Sequence, residues 1–522
     1  MKYFALFMIL LPYFANGANI LILEAVASPS HHIWIRTITT ALAAAGHNVT
    51  SLSTDIEEET PENLHYLHLD KVYDVMYNPE DADFGTEWDF FEMGDINSYL
   101  QIYLLFEFPE VTLKGCLKST GFRQLLNYPD DFKFDLVIHD FFVMGIMLPF
   151  VKKFNDPPVI ALTAFFSVEF AAPIFGGTLH SGYLPYVMNN NEDLSTLLAR
   201  TNNFLLGHID YFLKEYYVAP KLNNMLRNDF PGDVDIRELN KRSKLILLNK
   251  HPGLDIIEQA FPNVISVGGL QIQRNRTLTK DLQEVMDNAK NGAILFSLGT
   301  NVKSEMLGDA RQIEILEAFR ALPQYTFIWK FEADSLPVEV PSNVVIKKFV
   351  PQNDLLAHPN MKLFISHCGL LSTQESVWYG VPILGLPVFA DQFKNLEVSV
   401  KAGLAEKGDV KNIERNSFRK LIEKMLNDRK YRENAKSLSE IFRDQKETPL
   451  ERAIWWIEYV LRHPNMTHMR SPSMDYNIAQ RHSWDVLAFL YTVFLVTVLI
   501  FVKMCCCVCR SCTRKKSKTK RD

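Results

Sequence analysis

Between Lys362 and Leu386 the chain sets an apolar strand, a glycine turn, a helix and a second apolar strand in immediate succession, an order that few folds accommodate. The run Lys362 to Ile365 reads as a buried parallel strand. His367-Cys368-Gly369 ends it, Ser372 to Tyr379 reads as a helix, and Gly380-Val381-Pro382 stops that helix before a strand at Ile383 to Leu386. A helix that opens directly after a strand turn aims unsatisfied backbone N–H groups beyond the strand ends, where they favour phosphate. His367 and Ser372 add donors there. Glu375, almost a turn further on, can accept from ribose hydroxyls, and Asp391-Gln392 follow the next strand, within reach of a sugar.

Strands and helices alternate through most of the remaining chain, as in two doubly wound α/β domains. In the first half, Asn19 to Glu24, Val49 to Ser53, Asp135 to His139, Val159 to Leu162 and Lys244 to Leu248 read as parallel strands, with a helix from Ile33 to Ala45 ended by Gly46. The stretches Ile56 to Leu126 and Phe165 to Phe230 read as irregular and aromatic-rich, which suits an apolar pocket. Residues 268 to 280 lack apolar periodicity and read as a linker. The second half restarts with strand Ala293 to Ser297, helix Arg311 to Ala321 and strands Thr326 to Lys330 and Val344 to Phe349. Helices follow the signature at Lys394 to Ala402, Phe418 to Leu426, Tyr431 to Phe442 and Leu450 to Leu461. At 522 residues the chain exceeds a single core, so two domains with appendages are expected.

Both ends carry addresses. Met1 to Gly17 has Lys2, an apolar run from Phe4 to Phe14 and the small residues Ala15 and Gly17, the pattern of a cleaved secretory signal. Val486 to Val502 holds no charge and, with Trp484 and Met504 beside it, is just long enough to span a bilayer. The net charge of −6 divides unevenly: from Lys503 onward it is +7, leaving −13 for the rest. Basic residues beyond the span keep that side cytosolic, so a type I protein with a lumenal body is expected. Nothing before the tail resembles a nucleic-acid surface. Five of the seven cysteines, Cys505, Cys506, Cys507, Cys509 and Cys512, sit just inside the membrane, where palmitoylation fits better than zinc. Only Cys116 and Cys368 remain for the lumen, and a bridge between them is not expected. Asn48, Asn275 and Asn465 open glycosylation sequons.

The fixed offsets among the His367-x-Gly369 turn, Ser372, Glu375, Pro382, Pro387 and Asp391-Gln392 resemble the signature of the UDP-glycosyltransferase superfamily, the UDP-glucuronosyltransferase and UDP-glucosyltransferase group, and the resemblance runs from about residue 19 to the C-terminus. It implies the GT-B fold, two Rossmann-like domains facing a cleft, with a C-terminal transmembrane helix appended. The expected division is a signal peptide at 1–17, an acceptor-binding domain at 18–267, a linker at 268–285, a UDP-sugar-binding domain at 286–445, helices and a lumenal juxtamembrane segment at 446–483, a span at 484–503 and a basic tail at 504–522. The resemblance assigns Ser297, Gly299 and Thr300 to the donor phosphates, and Phe349 and Gln352 to the uracil, with Gln352 on the base edge. Many relatives have Trp at Phe349, and Asn at Leu371, so one stacking and one polar contact are weaker or absent. Lys518-Thr519-Lys520-Arg521-Asp522 resembles a dilysine signal for retrieval to the endoplasmic reticulum.

The chemistry needs a base near the acceptor hydroxyl. Ser30-His31-His32 opens the helix after the first strand, and counting back from Gly46-His47 places the family's base at His31. Imidazole has the right pKa range and gains from an orienting carboxylate, for which Asp140 matches the family's partner. His32 and His139 read as structural. Asp81-Ala82-Asp83 and Asp233-Val234-Asp235 have the spacing of a manganese-binding pair but lie in loops away from the donor strands, so no metal and no cofactor beyond the co-substrate UDP-sugar are expected. The expected partners are a UDP-sugar, a small lipophilic acceptor and membrane lipid. The Ser-His-His start and Ile-His-Asp strand look most like arthropod members, favouring glucose over glucuronate. A homo- or hetero-oligomer stays open. The alternative is a non-catalytic membrane protein that keeps the fold and binds a sugar nucleotide. A missing His31 or Asp140 would favour that alternative, and both are present.

Overall fold

A computed structural model describes residues 17–77, 91, 96–165, 172, 174–189, 193–257, 259–272 and 277–518. Most of the expected signal, Asp81, Asp83, Asn275 and the last four residues lie outside these. Seven strands occupy the first half: β1 (Asn19–Leu23), β2 (Asn48–Ser53), β3 (Leu64–His68), β4 (Leu136–Asp140), β5 (Val159–Thr163), β6 (Ser243–Leu248) and β7 (Val264–Ser266). They form one parallel sheet in the order β3-β2-β1-β4-β5-β6-β7. Six more, β8 (Ala293–Ser297), β9 (Thr326–Lys330), β10 (Val344–Lys347), β11 (Met361–Ser366), β12 (Ile383–Gly385) and β13 (Ala405–Lys407), form a second parallel sheet in the order β10-β9-β8-β11-β12-β13.

Both sheets are buried on both faces, and strand alternation sorts their side chains. Leu21 and Leu23 of β1 join Leu52 and Val137 in one core, while Ile20 and Ile22 join Leu136, Ile138 and Ile160 in the opposite one. In the second sheet Phe296, Trp329 and Ile365 fill one face, and Leu295, Ile328 and Phe364 the other. This is why the strands read as continuous apolar runs. Helix Pro449–Arg462 crosses back to the first domain, where Ala453, Ile457 and Val460 share the core of Ile20, Trp34 and Ile38.

In each sheet the strand order reverses between the first and fourth strands of its domain, β1 and β4 in the front domain, β8 and β11 in the rear one. Side chains leaving the carboxyl ends of these strands line a crevice, and ligands of doubly wound sheets bind there.

Several expectations need correction. Ile56 to Leu126 is not irregular: it holds β3 and helices Val72–Tyr77, Ser98–Lys118 and Thr120–Leu126. The long helix buries Ile102, Phe106, Pro109, Leu113 and Cys116 at helical spacing, and Pro109 within it obscured the period. Phe165 to Phe230 likewise contains helix Leu197–Leu213, a π-helical turn at Lys214–Val218 and helix Ala219–Leu226. Strands β7 and β13, three residues each, are too short to show a pattern. The signature helix opens at Leu370 rather than Ser372, and the first helix at Pro29 rather than Ile33, because Pro suits a first helical turn. Helix Trp484–Lys518 extends well past the expected span, and its segment Trp484–Arg510 is long and apolar enough to cross a membrane.

Candidate active site

His31 and Asp140 stand on either side of the front switch point, in the first helical turn after β1 and at the last residue of β4. The fold closes a sequence separation of 109 between them. His31 Nδ1 lies 2.7 Å from Asp140 Oδ2, and both side chains are buried. A carboxylate only accepts, so in the neutral imidazole the proton sits on Nδ1 and Nε2 keeps its lone pair. The second oxygen, Oδ1, accepts the Phe142 N–H at 3.0 Å, which fixes the carboxylate plane. The rings of Phe142 and Phe165 pack on the imidazole, with centroids 5.6 and 5.2 Å away.

His32 turns the other way. Its Nδ1 is 3.2 Å from buried Glu24 and its Nε2 3.3 Å from Glu57. Burial alone would lower its pKa, but the surrounding carboxylates raise it. His139 is buried in the sheet, which holds it down to about 4. Both have structural surroundings.

The rear switch point gathers a second set. Ser297 ends β8, and Gly299 follows with φ +87°, donating its N–H to Ser297 Oγ at 3.2 Å. Thr300 is exposed beside it. His367 follows β11. Burial, assisted by the nearby Lys330 charge, holds its imidazole down to about 4, and its Nδ1 is buried without a hydrogen-bond partner. It is therefore neutral at neutral pH, a hydrogen-bonding group rather than a cation. Gly369 caps the helix Leu370–Trp378 with no side chain closing its first turn, so backbone donors there stay available. Gln352 Nε2 donates to Ser372 Oγ at 3.0 Å and to Glu375 Oε2 at 2.7 Å, bringing three expected donor residues together. Burial pushes the Glu375 carboxyl up to about 7. Phe349 is 75% exposed and makes an open platform.

Asp391 precedes helix Gln392–Lys401 without a side-chain bond to its backbone N–H groups, and Asn395 donates to its Oδ2 at 2.7 Å. Burial raises its carboxyl pKa, while the Asn395 bond and the His31 ring favour its charge. That electrostatic link joins the rear domain to the His31 pair. Gln392 Oε1 accepts the N–H groups of Val388 and Phe389, so only its amide NH₂ remains for a ligand. Leu371 packs against the front-domain core instead of facing the nucleotide side. Asp235 is spent capping a short helix and pairing with Arg237.

Two contacts had no signal in the sequence. Asn301 Nδ2 donates to Ser28 Oγ at 3.1 Å, fastening the residue before the His31 helix to the loop after β8. Beside Phe142 and Phe165 opens a cavity of about 420 Å³, walled in part by Met474, Tyr476 and Ile478 from the segment before the C-terminal apolar helix.

Two parallel-sheet domains, with their switch points joined by a Ser28–Asn301 bond, have the GT-B architecture. A family profile described as UDP-glucoronosyl and UDP-glucosyl transferase matches residues 20–519, and the chain belongs to that family. It is 30% identical over 505 residues to UDP-glucosyltransferase 2 of Dactylopius coccus, covering 96% of this chain and 95% of that one. It is 29% identical over 527 residues to UDP-glucuronosyltransferase 2B1 of Rattus norvegicus, covering 98% and 97%. Among solved structures, CalG4, the calicheamicin glycosyltransferase, aligns with TM-score 0.55 at 16% identity, over 85% of this chain and all but 1% of that one (99% covered). Phytolacca americana UGT2, complexed with UDP-2fluoro-glucose and pterostilbene, aligns with TM-score 0.55 at 14% identity, over 85% and 100%. The protein is a UDP-glycosyltransferase, transferring a glucosyl or glucuronosyl group.

Proposed function

We propose that this enzyme inverts the anomeric centre of a UDP-hexose by single displacement onto a hydroxyl of a small lipophilic acceptor. The observation that carries the reading is the 2.7 Å contact between His31 Nδ1 and Asp140. Nε2 of His31 takes the acceptor proton as the hydroxyl oxygen bonds to the anomeric carbon. The bond to UDP breaks with its electrons, and Asp140 stabilises the imidazolium. An α-linked donor then gives a β-glycoside. UDP lies on the rear domain: Ser297, Gly299, Thr300, His367 and the N–H groups after Gly369 meet the phosphates, Phe349 and Gln352 the uracil, and Ser372 and Glu375 the ribose side. Asp391 and Gln392 meet the sugar. No cofactor and no metal enter this scheme; the helix N-terminus and neutral donors hold the pyrophosphate.

Glucose is the favoured sugar, supported by the insect glucosyltransferase relative at 30% identity. The aromatic walls of the front cavity support a lipophilic acceptor. The apolar helix with its basic flank supports a membrane anchor with a lumenal body, and the terminal lysines support retrieval to the endoplasmic reticulum. Incubating membranes containing the protein with labelled UDP-glucose or UDP-glucuronate over a panel of phenols and steroids tests the reading. A β-glucoside is expected, and an α-linked product or free hexose alone would sink it.

Glu375 supplies a pH signature. Burial holds its carboxyl up to about 7 in the free protein, so protonated and ionised forms both occur around neutral pH. A ribose hydroxyl donates to the carboxylate, so binding favours the ionised form and UDP affinity should rise between pH 6 and pH 8. Stability of the free protein runs the other way. The folded carboxyl binds its proton more tightly than the unfolded one, which titrates near 4.5, so this contribution is lost as pH climbs from there through 7. Calorimetric titration with UDP should show the pH dependence and its loss in Glu375→Gln. An identical slope in the variant would count against Glu375 as a nucleotide contact.

A further inference from the structure

The front cavity is lined by the aromatic rings Phe108, Phe142 and Phe165 and also by seven charged side chains. Its four cations are all engaged. Lys214 bonds Asp210 at 2.8 Å, Arg237 bonds Asp235 at 2.6 Å, Lys241 bonds Glu238 at 2.6 Å, and Arg481 bonds the carbonyls of Ser473 and Tyr476 at 2.9 Å. Among the three carboxylates, Asp475 pairs with Arg470 at 2.6 Å. Asp210 spends one oxygen on Lys214, and its Oδ1 is buried without a hydrogen-bond partner. Glu215 is half-buried, and its carboxylate makes no hydrogen bond or ion pair among the described residues; only its backbone carbonyl is used, by Arg237. Two acceptors on this wall, Asp210 Oδ1 and the Glu215 carboxylate, are left without a hydrogen-bonding donor among the described residues.

Glu215 also stands in the π-helical turn Lys214–Val218, between helices Leu197–Leu213 and Ala219–Leu226. Such turns are rare and concentrate at functional sites. A carboxylate held away from water costs free energy until a donor reaches it. Arg237 and Lys241 lie near Glu215 but are balanced by their partners Asp235 and Glu238, and between aromatic walls a neutral O–H donor costs less to bury than a cation, so it is the better match.

We propose that Glu215 determines acceptor choice by taking a hydrogen bond from a second hydroxyl of the acceptor, remote from the one that reacts at His31. The preferred substrates are therefore rigid apolar diols or diphenols rather than monohydroxylic compounds. This rests on the assignment of the front cavity to the acceptor. No bond forms or breaks at Glu215.

The test uses the full-length protein in detergent and two probes, a biphenyl with a hydroxyl at each far end and the corresponding monohydroxybiphenyl. Calorimetry is expected to show the diol binding about tenfold more tightly, the worth of one hydrogen bond to a charged acceptor. In Glu215→Leu the ratio should collapse to about two, the statistical advantage of two equivalent hydroxyls. Glu215→Gln, which keeps the shape and an oxygen acceptor, should give an intermediate ratio and guards against a misfolded Leu variant. Equal binding of the two phenols by the unaltered protein, or a ratio that survives in both variants, overturns the proposal. Formation of glycoside from the monohydroxyl compound is read separately. Its failure alongside the expected binding ratios would undo the transferase scheme at His31 and leave the role of Glu215 standing.

Discussion

His31→Ala lowers glycosyl transfer by about a thousandfold, the usual scale for losing a positioned general base, while UDP binds within a few-fold of the unaltered affinity. The two effects separate because His31 belongs to the front domain and the proposed UDP contacts to the rear one. Asp140→Asn is the sharper companion. Its side-chain oxygen can still accept the Phe142 N–H, so the turn after β4 keeps its anchor. Its amide, however, donates where the carboxylate accepted. The His31 proton then moves to Nε2, the atom that must take the acceptor proton, and a loss of about a hundredfold or more in kcat follows. Single-turnover rates with saturating UDP-sugar, beside UDP titrations, read both variants. Turnover retained in His31→Ala would refute the base assignment.

Gly299→Ala is expected to raise the KM for the UDP-sugar at least tenfold. Gly299 holds φ +87°, where an L-residue costs about 1–2 kcal/mol. An added Cβ would also fall 2.5 Å from Cε1 and Nε2 of His367, closer than carbon atoms pack. Either the loop after β8 or the His367 ring must move, and both face the proposed phosphate position. Gly308→Ala is the control: φ is +74° there too, but a Cβ would meet nothing within 4 Å. With ψ 158° it should cost about 1–3 kcal/mol of stability and leave the donor KM unchanged. Donor kinetics and thermal unfolding of the two variants decide the matter, and equal donor KM values would show that the Gly299–His367 approach has no bearing on the nucleotide.

The parts of the fold that were legible in sequence are those where burial on both faces imposes a pattern. β1, β4, β8 and β11 are continuous apolar runs because each lies at a sheet centre, and their ends carry His31, Asp140, Ser297 and His367. Two edge strands, β3 and β13, escaped for the converse reason, although the edge strand β10 was legible. β3, Leu-His-Tyr-Leu-His, is half exposed, and β13, Ala-Glu-Lys, has one buried residue. The acceptor side was least legible. Helix Ser98–Lys118 carries a proline in its middle, and the cavity wall draws on residues as distant as Phe108 and Arg481, which no local pattern connects. The donor contacts were proposed from fixed offsets, but the occupation of the Gln392 oxygen by the turn at Val388 and Phe389 is visible only in three dimensions.

Helix Pro449–Arg462 ties the order of synthesis to the completion of the first lobe. Ala453, Ile457 and Val460 finish a core begun by Ile20 and Trp34. Until they emerge from the ribosome, the core of Ile20 and Ile22 is covered by helix Pro29–Ala44 but lacks the Pro449–Arg462 side. Roughly 200 residues separate β6 from that helix, and at translation speeds of about 5–20 residues per second the wait is about 10–40 s. A nascent chain with bare apolar surface for that long calls for chaperone shelter, and a stop codon anywhere upstream of Pro449 yields an aggregation-prone product even if every residue proposed to handle the nucleotide is present.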